Sequence, residues 1–368
     1  MLRGPLHKLL LEIRAECRVA DSKASPTTSH SVVSLAQTPL GHSFGVIPAS
    51  IRKIILRERA RFGDQRRVHE IRFQVGSAAT CSNRWITLHW YDPKQDSPPR
   101  RALANVIAWM RVAARAARCE CASVGVHVFM FLLDVPKRLP YASSLALGAE
   151  QVNTAFTTAC SRGSAEIHLF RREEWFKVLI HESVHCFGLD FASAPASAMR
   201  AGDVQLRRAF LLHASQPREL TFEEAYTETV AVLILCMFVA CSQARHHSSC
   251  WSEWRKMVAR EQQWSVVQAV KVLRYAGVHY GGDMHAYRER TPVFAYYVLK
   301  SVLLCFYQDM EKVMWGGAGG TVLRAPEPQS VWRFILSHMH DRGFLAHVGA
   351  AETSDESCSP TLRMTLHA

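Results

Sequence analysis

The residues best suited to chemistry form a pentapeptide, His181-Glu182-Ser183-Val184-His185, within residues 175–191, WFKVLIHESVHCFGLDF. Side chains four residues apart lie on one face of a helix, so His181 and His185 can offer two imidazoles to one metal ion. Glu182 stands next to that face, where a carboxylate can act as a general base. Because the bare pentapeptide also arises by chance, its interpretation depends on the surrounding sequence.

A catalytic zinc site needs a third protein ligand and an open coordination position. Asp190 stands nine residues after His181 and could turn back beyond Gly188, whereas Glu224 lies on a later predicted helix, TFEEAYTETV. Glu228 is four residues after Glu224 on the same face and can accept the other ring N–H of a ligand histidine. Glu224 and, as the alternative, Asp190 are therefore the candidates for the third ligand.

Together these segments resemble the zincin metallopeptidases, and within them the gluzincin branch, which has H-E-x-x-H on one helix and a Glu on a later one. Thermolysin-like members carry N-E-A-x-S-D on the later helix, and residues 223–228, EEAYTE, are similar. The resemblance implies that Glu224 binds zinc and that Glu228 supports His181 or His185. The metzincin branch places its third ligand ten residues after the first His, where this chain has Phe191. The likeness covers only about residues 150–230.

The resemblance implies one Zn²⁺ ion and peptide-bond hydrolysis. In that mechanism zinc lowers the pKa of its water, and Glu182 takes the proton and returns it to the leaving amine. The developing oxyanion needs a second donor. His279 and Tyr280 are candidates because they stand in a predicted loop beside Gly281 and Gly282, whereas Tyr296 and Tyr297 are interpreted as helix core.

A weaker likeness concerns the substrate. Zincins hold the substrate main chain along an edge strand ahead of the motif helix, and thermolysin-like enzymes have Asn-Ala-Phe in that strand. In this chain Asn153, Ala155 and Phe156 form a similar group. The implied partner is a polypeptide substrate.

The apolar pattern predicts an α+β, zincin-like fold, with a small mixed sheet and the motif helix in the N-terminal half and a mostly helical C-terminal half. Alternating or continuous apolar runs predict strands at 69–75, 85–91, 126–133 and 165–170. Helical periodicity predicts helices at 47–62, 102–118, 204–213, 221–242, 251–275, 293–312 and 329–340. Glu173 and Glu174 are expected in the first turn of the motif helix, and Gly188 just after its end.

Four regions follow from this pattern. Residues 1–45 are expected to be a flexible extension and linker, 46–200 an α/β subdomain that ends in the motif helix, and 201–345 a helical subdomain that carries the third ligand. The last region, 346–368, is small and polar, and we expect it to be disordered.

The net positive charge does not by itself indicate a second function. A net charge of +12 favours acidic partners, but no nucleic-acid-binding motif accompanies it. The densest basic run, 52–67, is interpreted as the solvated face of a helix. The most apolar run, 230–241, is too short to cross a bilayer, so no transmembrane segment is expected. The oligomeric state stays open.

The cysteines bear on the compartment. There are eleven, without framework spacing, so we expect them to be mostly reduced and the protein to be intracellular, cytoplasmic or nuclear. Cys119 and Cys121 form a single C-x-C, which is a weak zinc signal. No secretory signal is visible, and a mitochondrial presequence in the basic, apolar N-terminus stays open as an alternative.

Two functions therefore compete. The first is a zinc-dependent peptidase with Glu182 as general base. The second is a catalytically inactive binding or structural protein on the same fold. The intact Glu182 favours the first, because a purely structural zinc site has no need of a general base.

Overall fold

The computed structural model describes residues 4–21, 28–76, 83–141, 146–213, 220–244, 249–317 and 320–367. It is a mixed α+β structure that divides into two compact units. The first is formed by residues 9–136 and 154–192, here called the sheet unit. The second is formed by residues 4–8, 137–153 and 193–367, here called the helical unit.

The sheet unit contains one mixed sheet of six strands, in the order β1-β2-β3-β4-β6-β5. β2 pairs antiparallel with β1 and β3, β4 pairs parallel with β3 and β6, and β5 pairs antiparallel with β6. The strands are β1 Thr28–Ser34, β2 Arg67–Val75, β3 Arg84–Tyr91, β4 Gly125–Phe131, β5 Ala155–Thr157 and β6 Ser164–Leu169. The strands predicted at 69–75, 85–91, 126–133 and 165–170 are thus confirmed to within two residues.

Four helices belong mainly to this unit: α1 Pro5–Asp21, α2 Ala49–Phe62, α3 Arg100–Ala116 and α5 Trp175–Cys186. α3 and α5 contact each other and the sheet, and the indole Nε1 of Trp109 donates to Ser183 Oγ at 2.7 Å between them. α2 buries Ile51 and Ile55 and exposes Lys53, Arg57 and Arg61, as the amphipathic interpretation of that run predicts. Arg59 differs, because it is partly buried and donates to the carbonyls of Ala36 and Thr38.

The helical unit is built around α7 Phe222–Gln243 and α8 Ser249–Tyr275, which pack on each other. Its other helices are α4 Ala149–Val152, α6 Ala196–Ala209, α9 Lys300–Cys305, α10 Tyr307–Met310, α11 Pro328–His338 and α12 Arg342–Glu352, with π-helical turns at Phe294–Leu299 and Glu311–Trp315. α7 is, among the described residues, the helix long and apolar enough to cross a membrane. Of its most apolar window, 83% is buried inside the protein, as in a core helix.

The N-terminal region differs from the expected flexible extension. Residues 1–3 and 22–27 lie outside the described residues, but the rest includes α1 and β1. Arg115 pairs with Glu12 and Glu16 of α1 at 2.8 and 2.7 Å. β1 pairs along its whole length with β2. Main-chain pairing therefore orders β1, although its Ser-rich sequence does not predict a strand.

The C-terminal region also differs from the expected disorder. After α12, the main-chain carbonyls of Leu362 and Met364 accept hydrogen bonds from the buried Tyr297 hydroxyl and Lys300 ammonium, both at 2.6 Å. The buried Glu261 carboxylate accepts the N–H groups of Leu366 and His367 at 2.9 and 3.0 Å. This segment is therefore an ordered strap along the helical unit.

The cysteines are more varied than expected. Cys121 and Cys160 form a disulfide, and Cys119 is also disulfide-bonded. The cysteines were expected to be mostly reduced, which agrees with the free ones given next, but the bonding of these three was not predicted. The free cysteines in the described part of the chain are Cys17, Cys186, Cys236, Cys241, Cys250, Cys305 and Cys358.

Candidate metal centre

The pentapeptide lies in the second half of α5, a helix buried along most of its length. The helix begins at Trp175, directly after Glu174, which has a left-handed φ of 60°. Glu173 and Glu174 therefore precede the helix, and their expected place in its first turn was wrong. Ser183 points into the interior and holds α3 through Trp109, which explains why a small polar residue stands at this position.

The two histidines present their Nε2 atoms to the same point. His181 Nε2 lies 3.1 Å from His185 Nε2, and the ring centroids are 4.8 Å apart. His181 is 5% exposed and His185 is 9% exposed, so both rings are largely removed from water. Two imidazole nitrogens at one point suit the neutral, metal-binding form of histidine.

The turn after α5 brings a carboxylate to the far side of His185. Gly188, with φ +63°, donates its N–H to the His185 carbonyl at 3.1 Å, and Leu189 N donates to Val184 O at 2.9 Å. This is the glycine-closed helix end that the sequence predicts. Asp190 then reaches back, so that its Oδ2 lies 2.6 Å from His185 Nδ1.

This contact favours a supporting position for Asp190 over a metal-binding one. A carboxylate at Nδ1 holds the proton on that nitrogen and leaves the Nε2 lone pair free to bind a metal. The second oxygen of Asp190 accepts the N–H of Ala192 at 3.1 Å. Asp190 thus orients His185 from behind, and the alternative in which Asp190 is the third ligand is not supported by this geometry.

The histidine pair fits a tetrahedral metal ion. Metal–nitrogen distances of about 2.0–2.1 Å place two ligand nitrogens about 3.3 Å apart in a tetrahedron. The observed separation of 3.1 Å is close to this value. Only a small change in side-chain torsion is needed to match it.

A carboxylate completes a group that could hold a metal ion. His181, His185 and Glu224 each offer one ligand atom, and these atoms lie within 4.8 Å of one another. Glu224 stands in the first turn of α7 and is partly buried. Glu228, one turn later, is 1% exposed.

Glu182 lies beside the pair and is partly buried. Its charge acts on Cys186, whose thiol is fully buried. Burial raises the pKa of Cys186 to about 12, with the negative charge of Glu182 adding to the rise and a hydrogen bond with Thr157 opposing it. Cys186 therefore stays a protonated core thiol near neutral pH.

The predicted oxyanion donors are placed differently from each other. Tyr280 is 8% exposed, and its hydroxyl donates to the carbonyl of Met339 at 3.1 Å within the core of the helical unit. The structure therefore corrects the prediction for Tyr280, which has a structural partner. His279 is exposed, and Gly282 packs closely over its ring. Tyr297, interpreted as core, is fully buried.

The predicted substrate segment coincides with the last strand in the sheet order. Ala155 and Phe156 begin β5, which pairs with β6 on one side. Asn153 precedes the strand and ends α4, where its Oδ1 accepts from Thr291 Oγ1 at 3.3 Å. The placement of Ala155 and Phe156 on an edge strand agrees with the expectation, and their role in substrate binding stays a prediction.

Sequence reasoning missed the disulfide beside the motif helix. Cys160 N donates to the carbonyl of His185 at 3.0 Å, and Cys121 is its disulfide partner, 39 residues away. The only available signal was the C-x-C itself, which contains Cys121 but gives no indication of Cys160.

Comparison with known proteins gives no relative for this arrangement: no protein-family model, no curated protein and no solved structure matches the chain.

Proposed function

We propose that this chain is a zinc-dependent peptidase of the zincin type, with His181, His185 and Glu224 as metal ligands and Glu182 as general base. The observation that carries the proposal is the pair of Nε2 atoms 3.1 Å apart, with Asp190 fixing the opposite nitrogen of His185. A buried core histidine pair has no need of that orientation.

Zinc is favoured by the chemistry of the donors. Two imidazoles and one carboxylate form the ligand set of hydrolytic zinc sites, whereas structural zinc sites use four ligands rich in cysteine. Harder ions such as Mg²⁺ and Ca²⁺ prefer all-oxygen sites. The nearest thiol, Cys186, is protonated and buried.

Each residue then has a defined task. A bound zinc ion supplies Lewis acidity, which activates water and polarises the scissile carbonyl. Glu182 removes the proton from the attacking water and transfers it to the leaving amine. Asp190 keeps His185 in the Nδ1–H tautomer. Because Asp190 already orients His185, we propose that Glu228 supports the other ligand histidine, His181.

The substrate is proposed to be an extended polypeptide. β5 is the last strand in the sheet order, and an edge strand offers unpaired main-chain groups on its outer side. A peptide added there as a further strand would be held by its main chain, with little dependence on sequence. Ala155 and Phe156 would provide those groups.

The test compares the wild-type chain with Glu182→Gln on a broad peptide library, read by mass spectrometry, with zinc content measured in both. We expect cleavage by the wild type and at least a hundredfold slower cleavage by Glu182→Gln with zinc retained. Glu253→Gln, at a partly exposed residue of the helical unit that pairs with Lys256, is the matched control. Equal inertness of zinc-loaded wild type and Glu182→Gln would instead support the inactive binding or structural alternative.

A further inference from the structure

We propose that the Cys121–Cys160 disulfide is a reducible modification site that sets the metal affinity of the His181–His185 pair. The oxidised form holds the end of α5 in its metal-binding arrangement, and reduction by a dithiol weakens it. This inference rests on the proposed function, because it concerns the regulation of the same site.

The disulfide joins two loops of the sheet unit that are distant in sequence. Cys121 lies between α3 and β4, and Cys160 lies between β5 and β6. Their Cα atoms are 4.4 Å apart. Ala122 N also donates to Ser161 O at 2.7 Å, so the two loops meet in the main chain as well.

Both loops contact the last turn of the motif helix. The carbonyls of a final helical turn have no partner within the helix. Here Cys160 N donates to the carbonyl of His185 at 3.0 Å, and Arg118 N donates to that of Phe187 at 3.1 Å. Gly188 packs so closely on Cys121 that a Cβ there would stand 2.6 Å from its Sγ. The disulfide therefore lies directly against the turn that follows His185.

That turn controls the orientation of a proposed ligand. Asp190 follows Gly188 by two residues and holds Nδ1 of His185 at 2.6 Å. If the turn shifts, the carboxylate moves relative to the imidazole. The carbonyl of His185 accepts from Cys160 N as well as from Gly188 N, so the main chain of this proposed ligand is held in part by the Cys160 loop and its ring is held by Asp190.

The loop that contains Cys121 is also held by contacts other than the disulfide. Arg84 is 1% exposed, and its guanidinium donates to three carbonyls of the same loop: those of Arg118 at 2.8 Å, Cys121 at 3.3 Å and Ala122 at 3.2 Å. The Cys160 side is held by main-chain hydrogen bonds, from Cys160 N to the carbonyl of His185 at 3.0 Å and from Ala122 N to Ser161 O at 2.7 Å, and Cys160 is partly exposed. Because Cys121 is also held by the buried Arg84 side chain, we expect reduction to displace the Cys160 side more than the Cys121 side.

The reduction balances with a dithiol as the co-reactant. One thiolate of the dithiol attacks the sulfur of Cys160, a partly exposed residue, and the sulfur of Cys121 leaves and takes a proton. The second thiol of the reductant then displaces Cys160, which is also protonated. Two electrons pass to the protein, and the dithiol becomes a disulfide. The two sulfurs are then no longer bonded and must move apart.

The expected change in zinc affinity follows from the displacement of Cys160. Contacts that orient a ligand are worth about 10–100-fold in metal affinity. Displacing Cys160 removes its hydrogen bond to the carbonyl of His185 and loosens the turn before Asp190. We therefore expect reduction to weaken zinc binding about tenfold.

The test measures the zinc dissociation constant of the full chain by competition with a chromogenic chelator. It is measured in the oxidised state and after dithiothreitol treatment, with the reductant removed under nitrogen and thiols counted by mass spectrometry. Circular dichroism monitors the fold. We expect about tenfold weaker binding after reduction with an unchanged helix content.

The variants isolate this disulfide from that of Cys119. Cys160→Ser should have the affinity of the reduced wild type and show no response to dithiol, and Cys121→Ser should do the same. Cys358→Ser, at an exposed free cysteine, should behave as the wild type in both states.

Three results would overturn the inference. Equal zinc affinity in the two states shows that the disulfide does not regulate the site, while the proposed function stands. Unfolding of the chain on reduction shows that the disulfide is a structural cross-link. Absence of zinc binding in both states removes the proposed function itself, and this inference with it.

Discussion

The carboxylate of Asp190 lies 2.6 Å from Nδ1 of His185, on the side of the ring opposite to His181. A charged acceptor at this distance makes a strong hydrogen bond that fixes both the tautomer and the plane of the imidazole. The relationship is local, because Gly188 turns the chain back within five residues. It gives the candidate centre its best-defined supporting contact.

The first prediction concerns this contact. Asp190→Ala should weaken zinc binding by about 10–100-fold, because His185 loses the group that orients it. Asp190→Asn should lose less zinc affinity, since its amide oxygen can still accept a hydrogen bond from Nδ1–H of His185. Both values come from chelator competition. If Asp190→Ala abolished binding as completely as His185→Ala does, Asp190 would be a ligand after all.

The second prediction identifies the third ligand. Glu224→Gln should weaken zinc binding by more than a hundredfold, because an amide oxygen is a poor substitute for a carboxylate on zinc. Glu223→Gln is the matched control, since it changes the same group one residue away on the same helical turn, and it should bind zinc as the wild type does. Equal behaviour of the two variants would remove Glu224 from the ligand set.

The third prediction concerns acid stability and His89 in the sheet unit. This ring is 2% exposed and stacks on Phe129, with centroids 4.7 Å apart. Burial, and secondarily the charge of His127, lowers the pKa of His89 to about 4. The carboxylate of Glu70, 3.6 Å away, lies beyond hydrogen-bond distance.

The direction of the pH effect follows from the pKa of a histidine in the unfolded chain, which is about 6.5. Since the unfolded chain takes up the proton first, the contribution of His89 to stability is complete above pH 6.5. It is lost as the pH falls towards 4, and amounts to about 3 kcal/mol in total. His89→Phe should therefore flatten the fall in unfolding free energy between pH 7 and 4, measured by denaturant titration, by about that amount. The exposed His340→Gln should leave the profile unchanged, and an unaltered slope in His89→Phe would contradict the prediction.

The fourth prediction concerns the turn after the motif helix. Gly188→Ala should lower the unfolding free energy by about 1–3 kcal/mol, because a side chain is disfavoured at φ +63° and would meet the Cys121 sulfur. Zinc affinity should fall as well, since Asp190 follows this turn. Gly349→Ala is the control: it lies in α12 with open space around it, and should be neutral or slightly stabilising. Wild-type stability and affinity in Gly188→Ala would show that the turn does not depend on its glycine.

The strands and the longer helices could be predicted because their signals are local. Residues 84–91 and 164–169 carry apolar alternation or continuous apolar runs. α7 is a long, continuously apolar run, and α8 is a long run with helical periodicity. The position of Gly188 after α5 was predictable for the same reason, because a helix end closed by glycine is specified within a few residues.

The features that could not be predicted are ordered segments and a disulfide whose partners lie far away in the sequence. β1 is Ser-rich and becomes a strand through its pairing with β2, and the C-terminal strap is ordered by Glu261, Tyr297 and Lys300. The Cys121–Cys160 disulfide likewise joins loops 39 residues apart. Composition describes such segments as flexible because it contains no information about the groups that bind them.

In the candidate centre, residue types indicated the chemistry but not every role. The His181–His185 spacing predicts convergent imidazoles, and the two Nε2 atoms do converge. Asp190 could be assigned only from geometry, because a carboxylate nine residues after the first histidine can serve as a ligand or as its support. Tyr280 was misplaced because its partner, the carbonyl of Met339, is 59 residues away.

The assignment of the metal ligands is tested most directly by the zinc content of the purified chain, measured by inductively coupled plasma mass spectrometry after zinc titration and desalting. The account predicts about one zinc ion per chain in the wild type and almost none in His181→Ala/His185→Ala, whose circular dichroism should match the wild type. A wild-type chain that binds no zinc, or a double variant that retains it, would contradict the assignment of His181 and His185 as metal ligands.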